Sequence, residues 1–153
     1  MTENNSHPET KARVGWREWI TFPEWSINAV KAKVDTGART SAIHCATYEQ
    51  IEGPDGDNWV QFEVEPDQRS TRRIVCQAPI IAQRSVRDSG GHEELRFFVL
   101  AKGVLGEHQW EFELSLTQRP NMKFRMLLGR TALEDRFLVD PAKSYVAGKS
   151  FDN

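Results

Sequence analysis

Hydrophobic and polar side chains alternate in short stretches along most of the chain. Between residues 29 and 34, Val30, Ala32 and Val34 share one face, and the lysines between them share the other. This two-residue period is typical of a strand with one buried face. Similar stretches predict further strands at residues 14–22, 59–65, 72–76, 80–86, 94–101 and 109–117.

Turn-forming residues separate these stretches. Glycine, proline, aspartate and serine cluster at residues 53–57, 88–91 and 103–106, which predicts turns there. One short helix is predicted after Gly129, because Thr131 and Glu134 have the spacing of a capping box. Many short strands with one short late helix predict a mainly β protein that forms a closed or nearly closed barrel.

The two ends of the chain differ from its middle in composition. Residues 1–13 and 148–153 are mostly polar, and we expect them to be tails that flank a single domain at residues 14–147. A chain of 153 residues is the usual length of one domain.

The overall charge and hydropathy narrow the range of partners. The net charge is −2, so no positive field attracts nucleic acid or a membrane surface. The arginines between residues 69 and 87 lack the interleaved aromatic rings that single-stranded nucleic acid requires, so we interpret them as a solvated face. No apolar run approaches the roughly 20 residues of a membrane span. We expect a cytoplasmic protein in which Cys45 and Cys76 stay reduced.

The alternating stretch at residues 29–34 leads directly into Asp35, Thr36 and Gly37. An isolated aspartate, with a pKa of about 3.9, is a poor general base at neutral pH. Two aspartates side by side share one proton, so that one can activate water while the other protonates an amide. One chain contains one such turn, and a catalytic pair would require a homodimer. The alternative is an ordinary strand-end turn with an exposed aspartate.

Two sequence motifs together resemble the retropepsins, which are small aspartic proteases. The motifs are Val34-Asp35-Thr36-Gly37-Ala38 and Leu127-Leu128-Gly129-Arg130. With the first motif extended to residues 33–42 and with Val139-Asp140-Pro141 added, the chain is similar in particular to a bacterial retropepsin-like family often labelled putative ATP-dependent zinc protease. The resemblance implies a closed acid-protease barrel with one short C-terminal helix. It also implies catalytic roles for Asp35, Thr36 and Gly37, a flap at residues 88–91, and substrate contacts from Ala38, Arg39, Ser89, Gly90, Gly91 and Arg130.

The resemblance also implies a substrate class. Members of this family are often associated with ATP-grasp ligases that add glutamate to proteins, which implies cleavage of peptide or isopeptide bonds in acidic or glutamylated substrates. Arg39 stands where retroviral relatives carry an aspartate that pairs with the arginine of the second motif. Arg39 and Arg130 together would favour substrate carboxylates. The alternative is that Glu134 or Asp140 neutralises them within the fold.

Neither ATP nor zinc, the two groups named in that label, is expected here. No glycine-rich loop ends in Lys-Ser or Lys-Thr, and Arg96 stands where a zinc-binding helix beginning at His92 would need its second histidine. His44, Cys45 and Cys76 lack the paired spacing of metal ligands. Two other functions stay open, namely a non-catalytic binding or regulatory module of the same fold and a metal-dependent hydrolase.

Overall fold

The computed structural model describes residues 11–88 and 90–148. Within these ranges, strands β1 to β11 cover Ala12–Val14, Arg17–Phe22, Ile27–Asp35, Ser41–Glu52, Asn58–Val64, Ile74–Pro79, Ala82–Arg87, Glu93–Leu105, His108–Thr117, Met126–Gly129 and Phe137–Val139. A 3-10 turn covers Pro23–Trp25, and helix α1 covers Arg130–Leu133. No helix in this part of the chain has the length and apolar content needed to cross a membrane.

Six of the strands form a closed ring. Their order is β10-β3-β2-β8-β9-β4, and β10 closes the ring because it pairs with β3 on one side and with β4 on the other. The β10–β3 pairing is parallel and the β10–β4 pairing is antiparallel. The mainly β barrel expected from the sequence is therefore confirmed, and it has the retropepsin-like fold.

Three strands extend the barrel, and one short sheet lies beside it. Strands β5 and β6 continue the sheet outward from β4, and β7 pairs only with β8. Strands β1 and β11 form a separate parallel pair. Strand β1 begins at Ala12, two residues before the expected start of the domain, because this pairing includes Ala12 and Arg13.

The core forms where the alternating strands turn their apolar faces inward. Val30, Ala32 and Val34 on β3 are buried as expected, while Lys33 between them is exposed. The turn expected at residues 103–106 is displaced, since β8 continues through Gly103 to Leu105. A Cβ atom on Gly103 would lie 2.8 Å from the ring of Phe112, so the glycine allows two neighbouring strands of the ring to approach.

A buried carboxylate fastens residues 140–148 to the start of β2. Glu18 is fully buried, and its two oxygens accept hydrogen bonds from the backbone N–H groups of Gly15 at 2.6 Å, Val146 at 2.9 Å and Ala147 at 3.1 Å. A buried charge is tolerated only when such donors replace its lost hydration. Glu18 is therefore the main polar anchor of this C-terminal segment.

We expect Glu18→Ala to lower the free energy of unfolding by about 3 kcal/mol, because one buried and two partly buried backbone N–H groups lose their acceptor. Urea unfolding of the purified protein measures this change. The matched control is Glu24→Ala, which removes an exposed glutamate paired with Lys102 at 3.2 Å and should cost at most about 1 kcal/mol. Equal losses in the two variants would show that Glu18 does not anchor the segment.

Candidate active site

The parallel pairing of β3 and β10 brings the two sequence motifs side by side. Leu128 lies opposite Val34, and Gly129 lies opposite Asp35. Leu128 is fully buried behind the Asp35 turn, while Leu127 is partly exposed and lines the adjacent cavity. The strand therefore places one leucine in the core and the other beside Asp35, following the alternation of strand side chains.

The turn after β3 fixes the carboxylate of Asp35. Its Oδ1 atom accepts hydrogen bonds from the backbone N–H groups of Gly37 at 3.0 Å and Ala38 at 3.2 Å. Its Oδ2 atom accepts no hydrogen bond from the described residues. The carboxylate is thus oriented by the backbone while one of its oxygens remains available to a ligand or to a second chain.

Helix α1 starts against the carbonyl groups of this turn. The N–H groups of Arg130 and Thr131 donate to the carbonyl oxygens of Ala38 at 2.8 Å and Arg39 at 2.9 Å. The expected capping box is wrong, because Gly129 is the N-cap residue and no side chain caps the helix. Backbone carbonyls from the turn satisfy the free N–H groups of the first helical turn instead.

Gly129 permits this close contact. A Cβ atom at this position would lie 2.5 Å from the carbonyl carbon of Thr40, so any larger residue would force the turn and β10 apart. The N–H group of Gly129 donates to the buried Oγ atom of Ser41 at 2.9 Å. The glycine of the second motif is therefore explained by a backbone contact.

A cavity of about 710 Å³, called the cleft below, lies beside the Asp35 turn under strands β7 and β8. The described residues that line it come from the turn, the start of β4, the β7–β8 hairpin, β10 and residue 119: Asp35, Gly37, Ala38, Arg39, Thr40, Ala42, Arg84, Ser85, Val86, Arg87, Asp88, Arg96, Phe98, Arg119 and Leu127. Residues 48–84, which include the end of β4 and strands β5 and β6, contribute only Arg84 to this lining. This segment therefore extends the sheet without covering the cleft.

Arginine dominates the charge of the cleft. Four of its five arginines are paired with carboxylates of the fold: Arg84 with Glu113 at 2.8 Å, Arg87 with Glu93 at 2.9 Å, Arg96 with Glu94 at 2.6 Å and Arg119 with Asp88 at 2.8 Å. Arg39 makes no ion pair within the described residues. The lining that contains Asp35 therefore also contains an exposed arginine without an ion pair in the described chain.

The structure brings only some of the expected site residues together. Asp35, Gly37, Ala38 and Arg39 line the cleft, and Thr36 is exposed in the same turn.

Arg130 does not line the cleft. Its Nη1 atom instead donates to the carbonyl oxygen of Thr36 at 3.0 Å, so it braces the turn. Neither Glu134 nor Asp140 pairs with Arg39 or Arg130 in the described part of the chain, which leaves the expected neutralisation without support.

The expected flap at residues 88–91 is the end of a β hairpin, and of its described residues only Asp88 lines the cleft. Gly90 and Gly91 lie in the turn between β7 and β8, outside the cleft lining, while Ser89 lies outside the described residues. Sequence reasoning placed Asp88 in the flap but missed Arg84, Arg87, Arg96 and Arg119 as cleft residues. A signal was present for the first three, because they flank the turn that the resemblance had already placed over the site.

His44 is a buried structural residue beneath the cleft. It is 1% exposed, and its Nδ1 atom accepts the backbone N–H of Arg119 at 3.0 Å. The ring proton therefore resides on Nε2, which donates to Glu65 at 2.8 Å. Cys45 and Cys76 are free and buried, and burial raises the pKa of the Cys76 thiol to about 12.

Comparisons with known proteins agree with this geometry. Residues 13–150 match the model of the RimB-like family, described as retropepsin-like aspartic endopeptidase RimB. A probable alpha-L-glutamate ligase of Shewanella halifaxensis is 41% identical over 94% of this chain, and one of Desulfotalea psychrophila is 43% identical over 91%. The chain spans only 31% and 30% of the length of these two relatives.

A solved structure supports the fold. A Legionella pneumophila protein of unknown function superimposes with a TM-score of 0.74 at 26% identity, covering 89% of this chain and 98% of that one. The closed ring, the Asp35 turn and the paired glycine of β10 define a retropepsin-like protein. Within that class, the chain belongs to the RimB-like family.

We expect the free energy of unfolding of Glu65→Gln to depend less on pH in the acidic range than that of the unmodified protein. The hydrogen bond from His44, with a smaller contribution from Arg73, lowers the pKa of Glu65 below its ordinary value. This stabilisation is complete above the unfolded pKa of about 4.3 and is lost as pH falls through the lower folded value. Urea unfolding at a series of acidic pH values measures the difference.

The matched control for this experiment is Glu49→Gln, at an exposed position of β4 without an ion pair in the described chain. In the acidic range, its free energy of unfolding should change with pH as steeply as that of the unmodified protein. If the free energy of unfolding of Glu65→Gln also changed with the same slope, the role of the His44–Glu65 hydrogen bond would be contradicted.

Proposed function

We propose that this protein is a peptidase in which Asp35 from each of two copies forms an aspartic dyad. The observation that carries the proposal is the Asp35 turn at the wall of the cleft, with Oδ1 held by two backbone N–H groups and Oδ2 left without a hydrogen bond from the described residues. The retropepsin-like fold and the membership of the RimB-like family support it.

The dyad would act by general acid–base catalysis. With one proton shared between two carboxylates, the ionised aspartate removes a proton from water and the protonated one donates to the scissile amide. A twofold axis beside the cleft would place the second Asp35 opposite the first, since an isologous dimer repeats each contact. Thr36, which is exposed in the same turn, would then contact its counterpart across that axis.

An acidic or glutamylated polypeptide is the proposed substrate. Five arginines line the cleft against two aspartates, and Arg39 lacks an intramolecular partner in the described chain. Guanidinium groups bind carboxylates with paired, charge-assisted hydrogen bonds. Related segments occur within longer proteins named probable alpha-L-glutamate ligase, which supports a substrate that carries added glutamate. The proposed setting is cytoplasmic, where both buried thiols would remain reduced.

Asp35→Asn should abolish cleavage of an unstructured glutamate-rich peptide at every pH, because the amide cannot share the catalytic proton. Product analysis by mass spectrometry measures the rate, and solution mass reports the oligomeric state. Asp55→Asn, in the exposed turn between β4 and β5, is the matched control and should retain full activity. Unchanged cleavage by Asp35→Asn, or full activity of a strict monomer, would refute the dyad.

The same assay separates the two alternative functions. Activity that a chelator removes and zinc restores, with Asp35→Asn unaffected, would favour a metal-dependent hydrolase. Tight peptide binding by the unmodified dimer without any product would favour a non-catalytic binding module of the same fold.

Arg39→Gln should reduce kcat/KM for a glutamate-rich peptide about tenfold, the effect of about 1.4 kcal/mol, while changing hydrolysis of the matching glutamine peptide less than twofold. Arg72→Gln removes an arginine from an exposed loop that does not line the cleft, and it should leave both rates unchanged. Equal rates for the two peptides with the unmodified enzyme would rule out acidic selectivity.

A further inference from the structure

Asp88 differs from the other carboxylates that pair with the cleft arginines. Glu93, Glu94 and Glu113 hold their arginines from outside the cleft lining, whereas Asp88 itself lines the cleft. With Asp35, it is one of two carboxylates among the described lining residues. Its Oδ2 atom accepts a hydrogen bond from the Nη2 atom of Arg119 at 2.8 Å. Asp88 is thus bound to an arginine that faces the proposed substrate.

Asp88 also organises the turn between β7 and β8. Its Oδ1 atom accepts the backbone N–H groups of Gly90 and His92, each at 2.9 Å. The hydrogen bond from His92, supplemented by that from Gly90, lowers the pKa of the Asp88 carboxyl. Asp88 is therefore ionised at neutral pH, and its two oxygens have separate functions, because one holds the turn and the other holds Arg119.

Arg119 is held firmly from the opposite side. Its backbone N–H donates to Nδ1 of His44, and the backbone N–H of His44 donates to the carbonyl oxygen of Arg125 at 2.8 Å. The guanidinium group of Arg125 in turn donates to the carbonyl oxygens of Pro120 and Met122. His44 thereby fastens both ends of residues 119–125, and this loop supports the Arg119 side chain at the edge of the cleft.

The hairpin can move without opening the barrel. Strand β7 pairs with β8 and with no other strand of the described chain, so displacement of Asp88 and residues 90–92 would leave the six-stranded ring intact. The Asp88–Arg119 pair is partly exposed, with side chains 23% and 38% accessible. Exchange of one carboxylate for another on Arg119 keeps the charge-assisted hydrogen bonds, whereas displacement by a neutral group would lose them.

We propose that Asp88 stands in for a substrate carboxylate, and that an acidic side chain of the substrate replaces it on Arg119. The exchange selects acidic substrates and releases the β7–β8 turn from residues 119–125. Arg119 is then a specificity-determining residue, and Asp88 is an internal competitor that raises the concentration of substrate needed for binding. This inference rests on the proposed acidic substrate and adds the residue that recognises it.

The test measures binding, so that it does not depend on turnover. All variants carry Asp35→Asn, and the probes are a fluorescein-labelled glutamate-rich peptide and its glutamine counterpart. Asp88→Asn keeps an oxygen for Gly90 and His92 but loses the charge opposite Arg119. We expect it to bind the glutamate peptide about fivefold more tightly, an effect kept small because the pair is partly exposed. Arg119→Gln should bind it about fivefold more weakly and the glutamine peptide unchanged.

Glu93→Gln is the matched control for Asp88→Asn. It also removes one carboxylate from an arginine of the same hairpin, but Glu93 does not line the cleft. We expect its affinity for the glutamate peptide to change less than twofold. An equal gain in Glu93→Gln would mean that general electrostatics, and not exchange on Arg119, controls binding.

Hydrogen exchange gives a second readout that a purely structural Asp88 would not produce. In the Asp35→Asn background with Asp88 intact, the glutamate peptide should speed amide exchange at residues 90–92 while it protects the Asp35 turn. Slower exchange at both places, or no gain of affinity in Asp88→Asn, overturns the proposal.

The outcomes also separate this proposal from the function on which it rests. A preference for the glutamate peptide that survives Arg119→Gln refutes the exchange and leaves acidic selectivity standing. If the protein with Asp88 and Arg119 intact shows no preference for the glutamate peptide, both the exchange and the acidic selectivity are refuted. Circular dichroism checks folding, and if Asp88→Asn fails to fold, Arg119→Gln alone decides the result.

Discussion

The backbone contact between the Asp35 turn and the start of helix α1 determines the geometry of the site. Strand β10 places Gly129 opposite Asp35, and the next two N–H groups donate to carbonyl oxygens of the turn. Because these bonds involve main-chain atoms, they orient the turn with little dependence on flexible side chains. Arg130 adds a hydrogen bond to Thr36 from the same helix. The direction of the Asp35 carboxylate and the shape of the cleft wall both follow from this contact.

Local sequence patterns predicted those parts of the fold that depend on local chemistry. The alternation along β3 identified its buried face, and the two motifs identified the turn and the strand beside it. The helix cap was wrong because its acceptors are carbonyl groups about 90 residues earlier in the chain, which no local pattern can reveal. Arg119 was missed for the same reason, since its loop reaches the cleft only through tertiary contacts with His44 and Asp88.

Charge in the cleft follows a similar division between local and tertiary causes. The family resemblance drew attention to Arg39, because retroviral relatives carry a residue of opposite charge at this position. The structure places that arginine in a wall where four others are already paired with carboxylates of the fold. Paired arginines contribute shape and limited charge, whereas an unpaired one retains its full capacity to bind an anion. The proposed selectivity of the cleft would therefore depend on which ion pairs a ligand can exchange.

The closure of the barrel by β10 also has a consequence for biosynthesis. Thr36 and Arg130, which meet at the site, are separated by 94 positions in the sequence. During translation, the Asp35 turn emerges from the ribosome long before the strand that orients it, and contacts of such separation form late in folding. The site cannot be assembled on the nascent chain until residues 126–133 have been made. In a protein with this topology, the candidate site stays unformed beside the ribosome until synthesis of the barrel is nearly complete.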